Sequence, residues 1–242
     1  MIAIQIDNLT KRYREVVAVD GLSLTVEEGE LFSLLGVNGA GKTTTIKMLS
    51  CITEPTDGDA YLLGKSIRKN AGEVKSLIAV SPQETAVASG LTVKENLAFI
   101  CGIYGFSKEK QTEKINGLAT LLGLESVMDR KAGKLSGGWQ RRLSIAMALI
   151  SEPKILFLDE PTLGLDVLAR SELWDIIRAL KGKVTIILTT HYMEEAEALS
   201  DRVAIMKDGK LLVCDSVNAI KTLGGTDNFE QAFVKIVKGV AQ

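Results

Sequence analysis

The chain has 242 residues, of which 46% are hydrophobic and 24% are charged, and its formal net charge is -1. This much apolar sequence can bury a substantial core, as one large α/β domain or two small ones, and it excludes an intrinsically disordered chain. The near-neutral charge gives no basic footprint for nucleic acid, so we expect no nucleic-acid partner.

Alternating apolar residues predict two antiparallel strands at the start of the chain, over residues 2–6 and 22–26. Tyr13 lies between them in the basic segment 11–14. Its ring can stack on a nucleotide base, or it can be a half-buried tyrosine of a strand or turn. The residue pattern alone leaves both readings open.

A phosphate-binding pattern, GxxxxGK[ST], follows the apolar run 31–35, which predicts a buried strand. We call this segment the phosphate loop; it consists of Gly36, Val37, Asn38, Gly39, Ala40, Gly41, Lys42 and Thr43, and Thr44 opens a predicted helix to Cys51. Glycines let backbone N–H groups surround an anion, while Lys42 reaches the outer phosphates and the Thr43 hydroxyl can ligate Mg²⁺. The pattern predicts a nucleotide site.

Two further strands are predicted over residues 59–63 and 77–81, and Gln83 comes directly after the second. Its amide can bond a metal-bound water, or it can be an exposed loop glutamine. Because α/β sheets bind ligands at the carboxyl ends of their strands, the location favours the metal role.

Helical spacing dominates from residue 91 to about residue 150, with helices predicted over 93–103, 108–122 and 143–150. We therefore expect a helical subdomain over residues 84–153, inserted between core segments 1–83 and 154–242. Leu135, Ser136, Gly137 and Gly138 precede its last helix. Ser136 is expected to cap that helix, whose exposed N–H groups can bind a second phosphate end; an ordinary capped helix start is the alternative.

An apolar run at residues 155–158 ends in two acids, Asp159 and Glu160. It predicts a buried strand whose tip carries Asp159 to the Mg²⁺ held by Thr43, while Glu160 orients or deprotonates a water. A second such run, 184–190, ends at His191, the sole histidine of the sequence. A lone histidine is often structural, but this position favours a phosphate contact.

The end of the chain continues with a predicted hairpin over residues 203–213, turning at Asp208 and Gly209. A short amphipathic helix is expected over 229–237. These elements complete an α/β pattern without adding a further chemical motif.

Together these motifs closely resemble the nucleotide-binding subunit of ATP-binding cassette (ABC) transporters over nearly the whole chain. The resemblance implies a P-loop NTPase (RecA-like) α/β core with an N-terminal antiparallel β subdomain and an inserted α-helical subdomain. It implies ATP and Mg²⁺ as ligands, an adenine-stacking Tyr13, the Q-loop residue Gln83 as a metal ligand, and the switch histidine His191. Asp159 would be the Walker B acid and Glu160 the catalytic carboxylate.

The ABC signature is the most specific of these motifs, and the resemblance assigns it to Leu135–Gly138, here called the signature segment. The following residue, commonly Gln in the family, is Trp139, and Val167 replaces the common Pro after the D-loop residue Asp166. The chain is similar to one branch of the family, the drug, sodium-ion and lipid or polysaccharide exporters with separate permease chains. The features that carry this similarity are the apolar residue at 139, the segment 38–45 and the tail 229–233.

The resemblance also implies partners. We expect a second ABC subunit, identical or a paralogue, and an integral membrane permease that docks mainly on residues 84–104. The three dispersed cysteines favour no disulfide framework, and neither a signal-peptide pattern nor an apolar run of about 20 residues is evident. We therefore expect a peripheral protein at the cytoplasmic face of the cell membrane.

Other functions remain as alternatives. A soluble ABC ATPase acting on ribosomes or DNA would be expected to carry two cassettes or long coiled-coil arms, and an importer subunit would share the motifs above. A non-enzymatic nucleotide-binding regulator is disfavoured because Glu160 and His191 are both present. A GTPase is disfavoured by the lack of an NKxD motif in the sequence.

Overall fold

The computed structural model describes residues 1–239. In this range the chain forms one four-stranded and one six-stranded sheet, surrounded by helices. The strands are β1 (Ile2–Tyr13), β2 (Val16–Glu27), β3 (Leu31–Leu35), β4 (Asp57–Leu62), β5 (Lys65–Ser66), β6 (Ile78–Ser81), β7 (Ile155–Asp159), β8 (Thr185–Thr190), β9 (Arg202–Lys207) and β10 (Lys210–Asp215). The α-helices are α1 (Lys42–Leu49), α2 (Ala71–Leu77), α3 (Val93–Ile103), α4 (Lys108–Leu122), α5 (Gly137–Leu149), α6 (Val167–Leu180), α7 (Met193–Leu199), α8 (Val217–Leu223) and α9 (Phe229–Lys238).

The four-stranded sheet is antiparallel, in the order β2-β1-β4-β5. It confirms the predicted pair of opening strands, but both are longer than the alternation indicated. Bulges interrupt the β1–β2 register, and Asn8 takes a positive φ, so the apolar period of two breaks inside the strand. Tyr13 consequently ends β1 instead of lying in a separate connection.

The six-stranded sheet has the order β10-β9-β3-β8-β7-β6, and every neighbouring pair is parallel except β10 with β9. All residues of β3, β7 and β8 are buried, as continuous apolar runs predict for central strands covered on both faces. The fold class is therefore confirmed as α/β with a separate antiparallel sheet.

Parallel pairing decides where the chemical residues lie. The carboxyl ends of β3, β6, β7 and β8 share one edge of the sheet, and these strands lead respectively into the phosphate loop, Gln83, Glu160 and His191. Residues far apart in the sequence are thereby placed at one crevice, the usual ligand position of such sheets.

The predicted helices over 93–103, 108–122 and 229–237 are confirmed, while α5 begins at Gly137, earlier than its apolar spacing indicated. Buried Leu97, Leu122 and Leu143 of α3, α4 and α5 share one hydrophobic cluster with Leu156 and Leu188 of the sheet. The helical segment is thus seated on one face of the central sheet. Within residues 1–239, no helix is long and apolar enough to cross a membrane.

Candidate functional site: a nucleotide cavity at the edge of the central sheet

A cavity of about 800 Å³ opens at the carboxyl edge of the six-stranded sheet, and we call it the nucleotide cavity. Its lining includes Tyr13, Asn38, Gly39, Ala40, Gly41, Lys42, Thr43, Thr44, Gln83, Glu160 and His191. Most residues predicted to bind nucleotide within one chain are therefore brought together, but Gly36, Val37 and the predicted metal ligand Asp159 do not line this cavity. A cavity of about 850 Å³ lies beside it, between α6, α7 and the start of α9, and shares His191. It has no phosphate loop, so we assign nucleotide chemistry to the first cavity.

The phosphate loop has a backbone that requires glycine at specific positions. Gly39 and Gly41 have φ values of 83° and 100°, a region that side chains disfavour. A Cβ on Gly36 would lie 2.4 Å from the Met206 carbonyl oxygen, and one on Gly41 would lie 2.5 Å from that of Ala18. The loop is consequently held tightly between neighbouring backbones. The Ala40 N–H already donates to the Val37 carbonyl oxygen at 3.1 Å, so the N–H groups that could bind phosphate are those at the start of α1.

Lys42 is the cation of the nucleotide cavity and is 5% exposed. Its Nζ donates to the carbonyl oxygens of Gly36 at 2.6 Å and Val37 at 3.2 Å, and lies 3.7 Å from Glu160 Oε1. Burial lowers the pKa of the Lys42 ammonium, while the charges of Glu160 and Asp159 oppose that shift. Phosphate oxygens can replace these acceptors because they bind an ammonium more strongly than neutral carbonyls do.

Asp159 and Thr43 form the candidate metal site. The Thr43 hydroxyl donates to Asp159 Oδ1 at 3.2 Å, and Thr189 donates to the same carboxylate oxygen. Thr189 faces Asp159 in the β7–β8 register and fixes its carboxylate from the neighbouring strand. Sequence reasoning missed Thr189; the available signal was a hydroxyl residue near the carboxyl end of an apolar strand.

These oxygens fit Mg²⁺ as it binds beside a nucleotide. Mg²⁺ is usually held by one or two carboxylates together with phosphate oxygens and waters, not by a cage of protein ligands. Consistently, among residues 1–239 no three His, Cys, Asp or Glu side chains gather into a metal-binding group. Asp159, the Thr43 hydroxyl and the nearby Gln83 amide are the residues that could hold the ion.

Glu160 occupies a constrained position directly after β7. Its φ is 47°, and its backbone N–H donates to both the hydroxyl and the carbonyl oxygen of Thr189, at 3.0 and 3.1 Å. A left-handed non-glycine residue is uncommon and is found often at functional sites. This backbone turn directs the carboxylate into the nucleotide cavity instead of along the sheet.

His191 stands beside Glu160, with Nδ1 at 3.3 Å from Glu160 Oε1. Within the described residues, the buried Nδ1 atom has no hydrogen-bond partner. Buried polar atoms are normally paired, so an unpartnered nitrogen beside Glu160 marks His191 as a candidate functional residue. The imidazole also lines the nucleotide cavity, and its phosphate contact stays a prediction.

Tyr13 and Gln83 lie at the periphery of the nucleotide cavity. Tyr13 is 46% exposed at the end of β1, with Lys11 Nζ 5.1 Å from its ring centroid. The ring is therefore partly accessible to a base, while Lys11 lies over one of its faces. Gln83 is exposed, but its backbone carbonyl accepts a hydrogen bond from Arg141 of α5, a contact that the sequence analysis did not predict.

The signature segment does not line the nucleotide cavity of its own chain. Ser136 occupies the N-cap position of α5, but its side chain accepts no hydrogen bond from the helix, so the expected capping contact is wrong. Ser136 and Gly137 are exposed, and a Cβ on Gly138 would lie 3.0 Å from Ala169 Cβ in α6. The first-turn N–H groups consequently face outward without a side-chain cap.

The two departures from the common motif are accommodated beside this helix start. The Arg142 guanidinium lies 4.7 Å from the Trp139 ring centroid, which gives the indole a cation–π contact on its own helix. Asp166 caps α6 by accepting from the Ala169 backbone N–H at 2.9 Å, and Val167 is exposed after it. Neither Trp139 nor Val167 obstructs the start of α5.

Comparison with known proteins agrees with this arrangement. The family model described as ABC transporter matches residues 19–163. The chain is 38% identical over 240 residues to the probable multidrug ABC transporter ATP-binding protein YbhF of Escherichia coli, covering 97% of this chain and 41% of YbhF. It is 41% identical over 215 residues to the Nod factor export ATP-binding protein I of Burkholderia lata, covering 88% of this chain and 70% of that protein.

A solved structure shares the fold. It is a dimeric, post-hydrolysis state of an ATP-binding cassette bound to ADP and Pi, with a TM-score of 0.78 and 26% identity, covering 88% of this chain and 98% of the other. The present chain thus corresponds to less than half of YbhF but to most of a single cassette. The family match, the two relatives and the fold agree, and the chain belongs to the ABC transporter family, of which it carries the ATP-binding domain.

Proposed function

We propose that this chain binds and hydrolyses ATP with Mg²⁺ and drives export through a separate membrane permease by ATP-dependent pairing of two cassettes. The observation that carries the proposal is the nucleotide cavity, where a phosphate loop, a buried lysine and two consecutive acids converge. Export is supported by the relatives, whose printed names are a multidrug transporter protein and a Nod factor export protein.

ATP binding is assigned to opposite ends of the nucleotide cavity. The exposed Tyr13 ring stacks on the adenine, while the N–H groups of the phosphate loop and the Lys42 ammonium bind the phosphates. Lys42 exchanges its carbonyl partners, Gly36 and Val37, for phosphate oxygens. Because the loop and its cation are already in place, little reorganisation opposes binding.

Thr43, Asp159 and Gln83 are the residues that would hold Mg²⁺. When bound, the ion neutralises charge that develops on the transferring phosphate group. The Thr189 hydroxyl keeps the Asp159 carboxylate oriented toward Thr43, and it also fixes the backbone of Glu160. One threonine therefore aligns the metal ligand and the next acid.

Glu160 orients the attacking water and accepts its proton, the role of a general base. Its contact with Lys42 weakens once the lysine binds phosphate, which frees the carboxylate for water. His191, adjacent to Glu160, contacts the outermost phosphate through its imidazole. Both residues rest on strands β7 and β8, whose burial limits their movement.

Pairing follows from the position of the signature segment. It lies outside the nucleotide cavity of its own chain, and its uncapped helix start suits an anion. The signature segment of a second copy or paralogue can cover the phosphate exposed in the cavity of the first. Hydrolysis then removes this shared ligand and separates the cassettes, which turns a chemical step into motion.

Docking of a permease is assigned to the face around segment 84–104. Phe99, Ile103 and Tyr104 are exposed apolar residues on α3 and its end, and Ile52 is exposed across the adjoining groove of about 540 Å³. Concentrated exposed apolar surface is typical of a protein interface. This face supports our proposal that the ATPase binds, at the cytoplasmic face of the membrane, to another chain that spans it.

The proposed function is tested with purified Glu160→Gln and, as a matched control, Glu125→Gln, which changes an exposed glutamate of the helical segment. Loss of a general base should slow ATP hydrolysis about 10²- to 10⁴-fold in Glu160→Gln, while ATP binding persists. Gel filtration with Mg-ATP should show Glu160→Gln as a stable dimer. The control should hydrolyse ATP at the wild-type rate.

The partner is tested by affinity purification of Glu160→Gln from detergent-solubilised native membranes with Mg-ATP, followed by mass spectrometry. Recovery of a polytopic membrane protein supports the transporter assignment. Reproducible recovery of ribosomal or DNA-repair proteins with no permease would contradict it and leave a soluble mechanical ATPase. A Glu160→Gln protein that hydrolyses ATP at the wild-type rate would refute the assigned chemistry.

A further inference from the structure

Arg141 joins the signature helix to the segment that carries Gln83. It lies in the second turn of α5 and is 4% exposed. Its Nη1 donates to the Pro82 carbonyl oxygen at 2.6 Å, and its Nη2 donates to that of Gln83 at 2.5 Å. A planar guanidinium thus holds two consecutive peptide carbonyls, which fixes the direction of this backbone as well as its distance.

A second contact reinforces the first, one turn further along α5. The hydroxyl groups of Ser144 and Ser81 lie 3.0 Å apart and share a hydrogen bond. Ser81 ends β6, and Pro82 and Gln83 follow it. Hence α5 is fastened to the end of β6 and to the backbone of Gln83 over two successive turns.

Burying Arg141 is costly, and packing alone does not require it. Burial lowers the pKa of its guanidinium, an effect opposed by the charges of Asp159 and Glu195. Within residues 1–239, however, no carboxylate forms an ion pair with it, and its hydrogen bonds go to the two carbonyls. An apolar side chain of similar size would avoid the desolvation penalty. The specific gain from arginine here is the fixed geometry of Pro82 and Gln83.

We propose that Arg141 is a positioning residue that sets the place of Gln83 relative to the Mg²⁺ ligands and transmits movement of Gln83 to the signature segment. The inference rests on the proposed function, in which Gln83 serves the ATP site of its own chain and the signature segment serves that of a second. The Gly137 start of α5 lies four residues before Arg141 on the same rigid helix. Displacement of Gln83 therefore shifts the groups offered to the other cassette.

Two consequences separate this role from a contribution to folding. Without the guanidinium fork Gln83 is less well placed, so more Mg²⁺ is needed to reach the same rate, while the phosphate loop still binds ATP. In each chain of a pair, Arg141 also connects Gln83, at one ATP site, to the signature segment, at the other ATP site. Because the substitution removes this connection, binding of ATP at one site should affect the other site less, and the Hill coefficient for ATP should fall toward 1.

The test compares Arg141→Lys with wild type and with Arg142→Lys, using the purified full chain. Lysine keeps the charge of residue 141 but cannot bind two carbonyls as a fork. Arg142 is the neighbouring arginine of α5, and its guanidinium bonds Glu172 and the Leu122 carbonyl instead of the Gln83 segment. It therefore controls for loss of an arginine from this helix.

Four quantities are measured for each protein: the thermal unfolding midpoint, ATP affinity without Mg²⁺, the Mg²⁺ concentration for half-maximal hydrolysis at saturating ATP, and the Hill coefficient for ATP. Outer-ligand changes of this kind commonly weaken metal affinity or activity about 10- to 100-fold. For Arg141→Lys we expect about a tenfold higher Mg²⁺ requirement and a lower Hill coefficient, with unfolding and metal-free ATP affinity unchanged. Ser144→Ala, which removes the hydrogen bond to Ser81, should also raise the Mg²⁺ requirement and lower the Hill coefficient, but by less.

An unchanged Mg²⁺ requirement and Hill coefficient in a folded Arg141→Lys protein would overturn the inference. So would equal shifts in Arg142→Lys, or parallel losses of unfolding midpoint and metal-free ATP affinity, which indicate a structural role. Failure of the proposed function is recognised separately, because the wild-type chain would then bind or hydrolyse no ATP. If Arg141→Lys does not fold, the Mg²⁺ requirement and the Hill coefficient of Ser144→Ala test the inference instead.

Discussion

The phosphate loop before α1 and the signature segment before α5 both lead glycines into a helix N-terminus, but their surroundings differ. The first encloses Lys42, which is nearly buried and within 3.7 Å of Glu160. The second is exposed, and the Ser136 side chain caps no backbone group. Under the proposed function, one helix N-terminus is a complete phosphate site and the other is a half-site. On that proposal, one chain would bind ATP and the signature segment of a second chain would cover it.

Among the tests of this contrast, the largest effect is expected from Lys42→Met in the enclosed phosphate loop. Methionine approximates the length of lysine without its ammonium, so the phosphate loop keeps its shape and loses its cation. Removing a preorganised charge-stabilising group of this kind commonly slows catalysis about 10²- to 10³-fold. We expect a loss of this size in ATP hydrolysis, together with weaker ATP binding, measured by phosphate release and equilibrium titration.

Lys47→Met is the matched control for this prediction. Lys47 is an exposed lysine on the same helix, so the substitution removes one positive charge from α1 but none from the nucleotide cavity. Its hydrolysis rate should remain that of the wild type. Equal losses in the two variants would show that net charge, and not the buried ammonium, controls binding.

Gly137→Asp tests the exposed signature segment, and we expect it to slow ATP hydrolysis less than Lys42→Met does. A Cβ at Gly137 meets Leu165 at 3.5 Å, an ordinary contact, so the side chain fits. A carboxylate at a helix N-terminus stabilises the helix by about 0.3–1 kcal/mol but repels a phosphate brought by a second chain. We expect unchanged ATP binding by the single chain, about 10- to 100-fold slower hydrolysis, and loss of the Mg-ATP dimer.

Gly137→Asn provides the uncharged comparison, since it is nearly isosteric with the aspartate variant. Hydrolysis by Gly137→Asn should stay well above that by Gly137→Asp, as measured by phosphate release at equal protein concentration. If Gly137→Asp instead weakened ATP binding to the monomer, the signature segment would belong to the cavity of its own chain. The contrast between the two helix starts would then be wrong.

Much of the nucleotide cavity was predictable, because the patterns that indicate it lie within short stretches of the sequence. The apolar runs 31–35 and 155–158 predict buried strands, and both strands are confirmed. Parallel pairing then carries the residues after each strand to a common edge, which is why Gln83, Glu160 and His191 line one cavity. Their assigned roles remain predictions, because position does not by itself establish chemistry.

Other features could not be predicted, because they depend on contacts across the fold. The bond from Thr189 to Asp159 requires the β7–β8 register, and the Arg141 contact with Gln83 joins residues 58 positions apart. Ser136 has the residue type and position of a cap, but the side-chain orientation that decides the hydrogen bond is not encoded in spacing. Of the helices, α2, α6, α7 and α8 carried no motif and were not predicted from their periodicity.

Glu195 is a buried carboxylate close in sequence to His191 of the nucleotide cavity. It lies on α7, just after His191, and is 0% exposed. Its Oε1 accepts from Trp174 Nε1 at 3.1 Å, while within the described residues Oε2 and the nearby Thr162 hydroxyl have no hydrogen-bond partner. Burial raises the pKa of the Glu195 carboxyl, and the hydrogen bond from Trp174 and the charge of Arg170 partly oppose the shift.

The smallest expected effect is a pH-dependent gain in stability in Glu195→Gln. Because the folded-state pKa of Glu195 lies above its unfolded value near 4.5, the folded chain holds an extra proton between those two values. The contribution to the free energy of unfolding is thus fully present below pH 4.5 and is lost as pH rises through the folded pKa. Glutamine stays neutral and avoids this loss. Relative to wild type, the free energy of unfolding of Glu195→Gln should rise as pH increases above 4.5, measured by urea unfolding at a series of pH values.

Glu194→Gln separates burial from the simple loss of a carboxylate, because Glu194 is exposed on the same helix and pairs with Arg170 at 3.6 Å. A pH-dependent gain of equal size in both variants would contradict the assignment to the buried group. If only Glu195→Gln gains free energy of unfolding as pH rises, the cause is the burial of the Glu195 carboxyl. Ser136 and Gly137 at the start of α5 are exposed and bury no titratable side chain, so variants there should alter pairing far more than they alter the pH dependence of folding.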